Sequence, residues 1–309
     1  MRDPVQRFVD VQARLLAANG TVATSRYLSL PTPALQAHVL DAGSGPPLLL
    51  IHGGNSVAVA WQPLLGDLAR AFHVFAPDRP GCGLTDKVDY RGVDLRQHAV
   101  DFIASTLDAL GLDRVHLVGN SMGGYWSLAF ALARPERVSK LVLIGEPAGS
   151  APRPPIGFWL LRTPGVNRLL YATKLRPSPR TIRASYQSRL VAHIERVSPL
   201  QLELAYAAAV LPGAQRSWLS MLGRGISPWG SSTMTYTLRP ELRGLNVPTL
   251  FVWGEHDRFG PPTLGHEMAA LIPQGRAEVV PDAGHLVWMD QPNRTTNLVL
   301  DFLRVPVPR

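Results

Sequence analysis

Three residues able to relay a proton to an attacking oxygen stand far apart in the chain, each shortly after a short apolar run. Ser121 lies in Gly119-Asn120-Ser121-Met122-Gly123, behind the apolar run 115–118 and ahead of a helix-like stretch over 125–133. A serine held between glycines at a strand-to-helix turn lifts its hydroxyl off the end of a sheet, and side chains at the neighbouring small positions would collide. The same turn aims a helix N-terminus at whatever that hydroxyl attacks. An alcohol is protonated at neutral pH, so it needs a positioned base and a group that orients the base. Asp282-Ala283-Gly284-His285-Leu286 offers His285 just after the last apolar run, and Gly254-Glu255-His256-Asp257 offers Asp257 after the run that ends at Trp253. We read Ser121 as nucleophile, His285 as general base and then acid, and Asp257 as the carboxylate that fixes the imidazole tautomer and stabilises its charged form. Rivals for the acid remain: Glu146 follows the strand before a strand-free segment, and Glu255 and His256 share the Asp257 loop. Asp282 suits a turn beside Gly284.

An alkoxide that attacks a carbonyl creates an oxyanion, which needs donors. His52-Gly53-Gly54-Asn55 follows the apolar run 48–51, and a small-residue loop there lets backbone approach a substrate. The expected donors are the N–H groups of Gly54 and Met122, with His52 holding the loop by hydrogen bonds.

Such residues must be brought to one edge of a sheet. Short β-branched apolar runs alternate with helical patterns, as in a parallel sheet with crossover helices. The sequence predicts a hairpin over 26–30 and 36–40, then strands at 47–51, 73–76, 114–118, 141–144, 249–253 and 277–280. Helices are predicted at 60–71, 94–110, 264–271 and 293–303, and an amphipathic one near the N-terminus over 1–19. From 151 to 242 the strand rhythm disappears: Pro152, Pro154, Pro155, Pro177 and Pro179 punctuate helical stretches at 156–171, 180–194, 199–211 and 215–222. Open parallel sheets bind ligands at the C-terminal edge of their strands, so an insertion there roofs the site. The expected organisation is an N-terminal helix in 1–24, a core in 25–150 and 243–309, and a helical cap in 151–242.

Composition narrows the partners. Of 309 residues 46% are apolar and 17% charged, a well-filled core. One cysteine, Cys82, excludes an intrachain disulfide. No run approaches the ~18 apolar residues of a membrane span and the start lacks a signal-peptide stretch, so the expectation is a cytoplasmic protein without a membrane span. The net charge of +8 is regional: residues 150–245 hold thirteen Lys/Arg against three Glu, whereas the remainder is slightly acidic. It forms no dense tract or aromatic-interleaved stripe, so nucleic acid is not expected; a solvated helical surface or attraction of anionic substrates accounts for it. No H-x-x-x-H, paired-cysteine or glycine-rich phosphate-loop spacing occurs, so neither metal nor cofactor is expected.

Together, His52-Gly53-Gly54, the segment Asp78-Arg79-Pro80-Gly81-Cys82-Gly83-Leu84-Thr85-Asp86, the serine turn, Gly254-Glu255-His256-Asp257 and Gly284-His285 resemble the α/β-hydrolase superfamily. The likeness spans about residues 25–150 and 245–305 and implies that family's fold: a mostly parallel twisted sheet flanked by helices, with a helical cap insertion. Serine at 121 sets the chain apart from the haloalkane dehalogenases and epoxide hydrolases, which use aspartate there. The 78–86 segment reads as a buttress of turns and ion pairs. A narrower resemblance joins residues 118–124 and Asp257-Arg258-Phe259 to the carbon–carbon bond hydrolases of ring-cleavage products. The chain departs from that family at Asn55-Ser56-Val57, where a glycine-proline-glycine stretch is usual, and at Leu286, where a tryptophan is usual; Trp288 lies two residues on. Arg189, Arg196 and Arg216 are available to bind a substrate carboxylate. The expected activity is hydrolysis of small to medium carboxylic esters through an acyl-enzyme on Ser121. Carbon–carbon hydrolysis by the same residues is the alternative, and a non-catalytic ligand receptor the third reading.

Overall fold

Apolar runs pair into one eight-stranded sheet in a computed structural model that describes residues 3–305. The strands are β1 (Thr24–Pro31), β2 (Ala34–Ala42), β3 (Pro47–Ile51), β4 (His73–Pro77), β5 (Val115–Asn120), β6 (Val138–Ile144), β7 (Thr249–Gly254) and β8 (Gly275–Val280). Their spatial order is β1-β2-β4-β3-β5-β6-β7-β8. β1 and β2 form the predicted hairpin, β2 runs antiparallel to β4, and every pair from β4 to β8 is parallel. The chain order reverses around β3 and β5, which opens a crevice at their C-terminal ends.

Thirteen α-helices accompany the sheet among the described residues: α1 (Pro4–Ala18), α2 (Gln62–Ala69), α3 (Leu95–Ala109), α4 (Met122–Ala133), α5 (Ile156–Arg162), α6 (Val166–Ala172), α7 (Pro179–Ser185), α8 (Pro199–Ala209), α9 (Ala214–Gly225), α10 (Thr235–Leu238), α11 (Pro262–Ala270), α12 (Val287–Asp290) and α13 (Pro292–Arg304). Successive strand side chains point to opposite faces. Leu48 and Leu50 of β3 therefore join one buried cluster with α1, α2 and α13, whereas Leu49 and Ile51 join another with α3, α4 and α11. A strand covered on both faces has no polar side to show, which explains the unbroken apolar reading of β3 and β7. None of these helices is long and apolar enough to cross a membrane.

Between β6 and β7 the chain makes only helices and loops, apart from one isolated bridge between Ile226 and Ser232. The single helix predicted over 156–171 is two, α5 and α6. Pro164 cannot continue a helix, and Gly165 (φ +85°) turns the chain into the next one. The stretch predicted over 180–194 ends as a helix at Ser185 and continues as a π-turn over Tyr186–Leu190. At the N-terminus α1 starts at Pro4, capped by the Asp3 carboxylate; Met1 and Arg2 of the expected helix, like residues 306–309 of the expected core, lie outside the described residues.

Candidate active site

β5 ends at Asn120 and α4 begins at Met122, leaving Ser121 alone in the turn with φ +51° and ψ −115°. That conformation is costly for a residue with a side chain and is held only where its surroundings enforce it. Here they do. A Cβ on Gly123 would overlap the carbonyl oxygen of Ile51 at the end of β3, and one on Gly119 would stand 2.5 Å from the Gly123 carbonyl oxygen. The Asn120 side chain donates to the Ile144 carbonyl at 2.7 Å and ties the turn to β6.

The loop after β8 carries His285, whose Nδ1 lies 2.9 Å from Asp257 Oδ2 in the loop after β7; both side chains are buried. Asp257 Oδ2 also accepts the Glu146 backbone N–H at 2.9 Å, and Oδ1 accepts that of Phe259 at 2.9 Å. With three donors the carboxylate is satisfied as an anion. It fixes the proton on His285 Nδ1 and leaves Nε2 with a free lone pair. The Phe259 ring leans on the imidazole, centroids 4.2 Å apart.

The rival acids are placed elsewhere. Glu146 accepts from the Ser150 N–H at 2.7 Å rather than from His285, and burial together with the adjacent Asp257 charge pushes its carboxyl well above the usual range. Glu255 accepts the Asp282 N–H at 3.0 Å. Asp282 is paired with His193 and, at 2.7 Å, with Arg196, so it joins the loop to the helical segment. A fourth carboxylate carries a role that no motif signals. Asp290 is buried and accepts the N–H groups of Gly284 (2.8 Å), Ala192 (2.9 Å) and His193 (2.9 Å), pinning the His285 loop from beneath.

The loop after β3 is braced by the 78–86 segment, which makes the turns read in the sequence and adds a buried cation that acts on carbonyls. Arg79, fully buried, has no carboxylate partner among the described residues: its Nε donates to the His52 carbonyl at 2.9 Å and its Nη2 to the Gly53 carbonyl at 2.8 Å, with the guanidinium 5.0 Å above the Trp126 ring. Asp78 meets His38 at 2.8 Å and accepts the N–H groups of Ala58 and Leu84. His52 Nε2 accepts the Arg79 N–H at 2.9 Å, which places its proton on Nδ1, facing the Gly53 carbonyl. Burial, then the Arg79 charge, drives its pKa down to about 3, so it stays neutral. The backbone N–H groups of Gly54 and Met122 find no protein acceptor among the described residues, as donors for an incoming oxyanion should not.

Ser121 and His285 line one cavity of about 190 Å³. Its other walls include Gly54 and Phe259 from the core and Phe158, Tyr186 and Trp218 from the helical segment. A smaller lobe of about 60 Å³ meets it at Ser121 and is walled by Met122, Glu146, Leu222, Ile226 and Met234. No hydrogen bond joins the Ser121 and His285 side chains, a link that in many hydrolases tightens only around substrate. Of the three arginines available for a carboxylate, only Arg189 lines this cavity; it donates to Ser185 Oγ at 3.1 Å and has no carboxylate partner among the described residues. Arg196 is held by Asp282, and Arg216 lines a separate open groove. Leu286 lines the cavity, whereas Trp288 stacks on Trp61 at 4.5 Å inside the core and so does not replace the missing tryptophan.

A family model described as the alpha/beta hydrolase fold matches residues 46–292, and the chain belongs to that family. Among curated proteins it is 31% identical to a 2-hydroxy-6-oxononadienedioate/2-hydroxy-6-oxononatrienedioate hydrolase of Burkholderia vietnamiensis, covering 91% of this chain and 96% of the relative. Among solved structures, carboxylesterase CesB (YbfK) of Bacillus subtilis superposes with a TM-score of 0.78 at 24% identity, covering 98% of this chain and 99% of that one. The meta-cleavage product hydrolase CumD of Pseudomonas fluorescens IP01, in a mutant form complexed with acetates, gives 0.74 at 26% identity, covering 90% and 97%. The chain is therefore a hydrolase of this fold. Its sequence relative is named for a 2-hydroxy-6-oxo dienoic acid as substrate, not for an ester.

Proposed function

We propose that this protein hydrolyses a carbon–carbon bond of 2-hydroxy-6-oxo-dienoate ring-cleavage products, with Ser121, His285 and Asp257 as its catalytic residues and residues 151–242 as a cap over them. The observation that carries the reading is Arg189. It stands in the same cavity as Ser121 and His285 without a counter-charge, where it can receive the carboxylate that an ordinary ester lacks. The named relative supports the same substrate class, and with it the alternative is preferred over the ester hydrolysis first expected.

The chemistry follows from the placement. Once the 2-hydroxyl has passed its proton to C5, the substrate is a 2,6-dioxo acid with a double bond between C3 and C4. Ser121 Oγ attacks the C6 carbonyl while His285 Nε2 takes its proton, and Asp257 stabilises the imidazolium. The N–H groups of Gly54 and Met122 hold the C6 oxyanion. When the oxyanion collapses, the C5–C6 bond breaks and its electron pair runs through C4 and C3 to the 2-oxygen, which is protonated. The departing piece is a 2-hydroxydienoate and the remaining acyl group sits on Ser121. Water activated by His285 then releases the acid and restores the serine hydroxyl.

Mixing the protein with 2-hydroxy-6-oxo-6-phenylhexa-2,4-dienoate tests this. One benzoate should appear per dienoate lost, and Arg189→Gln should raise KM about 10–100-fold, the value of a charged hydrogen bond. Turnover of 4-nitrophenyl butyrate with no benzoate released would return the assignment to ester hydrolysis.

A further inference from the structure

An open groove of about 1400 Å³ lies beside the cavity, and the two share Tyr171, Pro177, Ala209 and Gln215 as a common wall. Its rim carries six arginines: Arg91, Arg162, Arg168, Arg176, Arg216 and Arg224. Asp89 is the sole carboxylate there, and Arg91 already grips it at 2.9 Å. Arg162 donates to the Ile226 carbonyl and Arg224 to that of Val93, so both also anchor the groove's edges. Arg168, Arg176 and Arg216 are exposed and have no carboxylate partner among the described residues. The imbalance is written into the chain: residues 147–194 contain eight Lys/Arg and no Asp or Glu. A soluble surface normally intersperses both signs, because a one-signed field attracts counter-ions.

We propose that this arginine-walled groove is an entry site that gathers small organic carboxylates, dianions above all, and passes them over Tyr171 and Gln215 to Ser121. The inference rests on Ser121 as the reacting residue and names the substrate class of that site. The shared wall with a cavity of about 190 Å³ sets the occupant as a small molecule, since a polyanionic chain would not fit that cavity. Attraction of this kind raises local concentration roughly 10-fold or more and fades with salt.

The test compares two esters of similar length, 4-nitrophenyl succinate with a free carboxylate and uncharged 4-nitrophenyl butyrate. The unaltered protein is set beside the triple variant Arg168→Gln, Arg176→Gln, Arg216→Gln. At about 10 mM salt, where charges act over ~30 Å, the variant should raise KM for the succinate about tenfold; kcat and both constants for the butyrate should not change. At about 1 M salt, where the range is ~3 Å, the two proteins should agree. An equal effect on both esters, or none on the succinate, overturns the groove. Butyrate turnover reports on Ser121 separately. If it is absent, calorimetric titration of succinate at low salt reads the groove alone: tenfold weaker binding in the variant supports it, and equal binding overturns it.

Discussion

Ser25 Oγ lies 3.0 Å from His38 Nε2, and His38 Nδ1 lies 2.8 Å from Asp78 Oδ2, so a serine–histidine–aspartate chain exists a second time at the edge strand β1. It has closer contacts than the one at Ser121 but none of the surroundings. None of the cavities described above borders Ser25. Residue types alone do not separate the two; a strained turn, paired free N–H donors and a cavity do. The same contrast governs the acids. Asp257→Asn should lower kcat by about 10⁴, because the amide favours the wrong imidazole tautomer. Glu146→Gln should leave kcat within about threefold, since burial and the Asp257 charge already favour its neutral carboxyl. Steady-state assays of both variants decide; a silent Asp257→Asn with a severe Glu146→Gln would exchange their roles. Because the folded state holds the Glu146 proton above the pH at which the unfolded chain releases it, the stability this one group contributes declines as pH rises past about 4.5. Glu146→Gln removes that decline, so its Tm should gain on the unaltered protein between pH 5 and 8.

The elements that aim the site were legible where they are apolar and regular. β3 and β7 read as unbroken apolar runs because the sheet is covered on both faces, while β5 and β6, broken by His116 and by Ser139-Lys140, and the buried helix α4 still read as mostly apolar. The helical segment was harder: one proline and one glycine divide α5 from α6, and the apolar pattern continues across the break. Asp290 was illegible as a support, and Arg79 was legible only as part of a buttressing segment, for a physical reason. Each acts on backbone groups, Arg79 on a carbonyl 26 residues away and Asp290 on an N–H 98 residues away, so no partner side chain marks the pairing. The glycine turn, by contrast, makes a sharp expectation. Gly123→Ala drives a Cβ into the β3 backbone and should lower Tm by about 5–10 °C, the cost of overpacking a rigid site. Gly223→Ala in α9 meets nothing within 4 Å and should raise Tm by a few degrees through helix propensity. Thermal melts that rank the two the other way would remove the steric account of the turn.

At the scale of the whole molecule, charge sets both stability and approach. Burial pushes His52 down to about 3 and His98 and His116 down to about 4, so the folded protein keeps all three neutral. The unfolded chain protonates them below about 6.5, so through these rings acid favours unfolding, and in Glu146→Gln, which lacks the opposing carboxyl, Tm should fall from pH 6.5 toward pH 4. A flat melt over that range would contradict the burial of these rings. The basic excess of the helical segment acts on approach instead in the entry site proposed above, whose arginine-walled groove shares a wall with the Ser121 cavity. Every step of the proposed chemistry depends on the Ser121 hydroxyl, and a fluorophosphonate reads it directly. Peptide mapping after labelling should find one adduct per chain, on Ser121, and none in Ser121→Ala. An adduct on Ser25, or labelling that survives the substitution, would contradict the account.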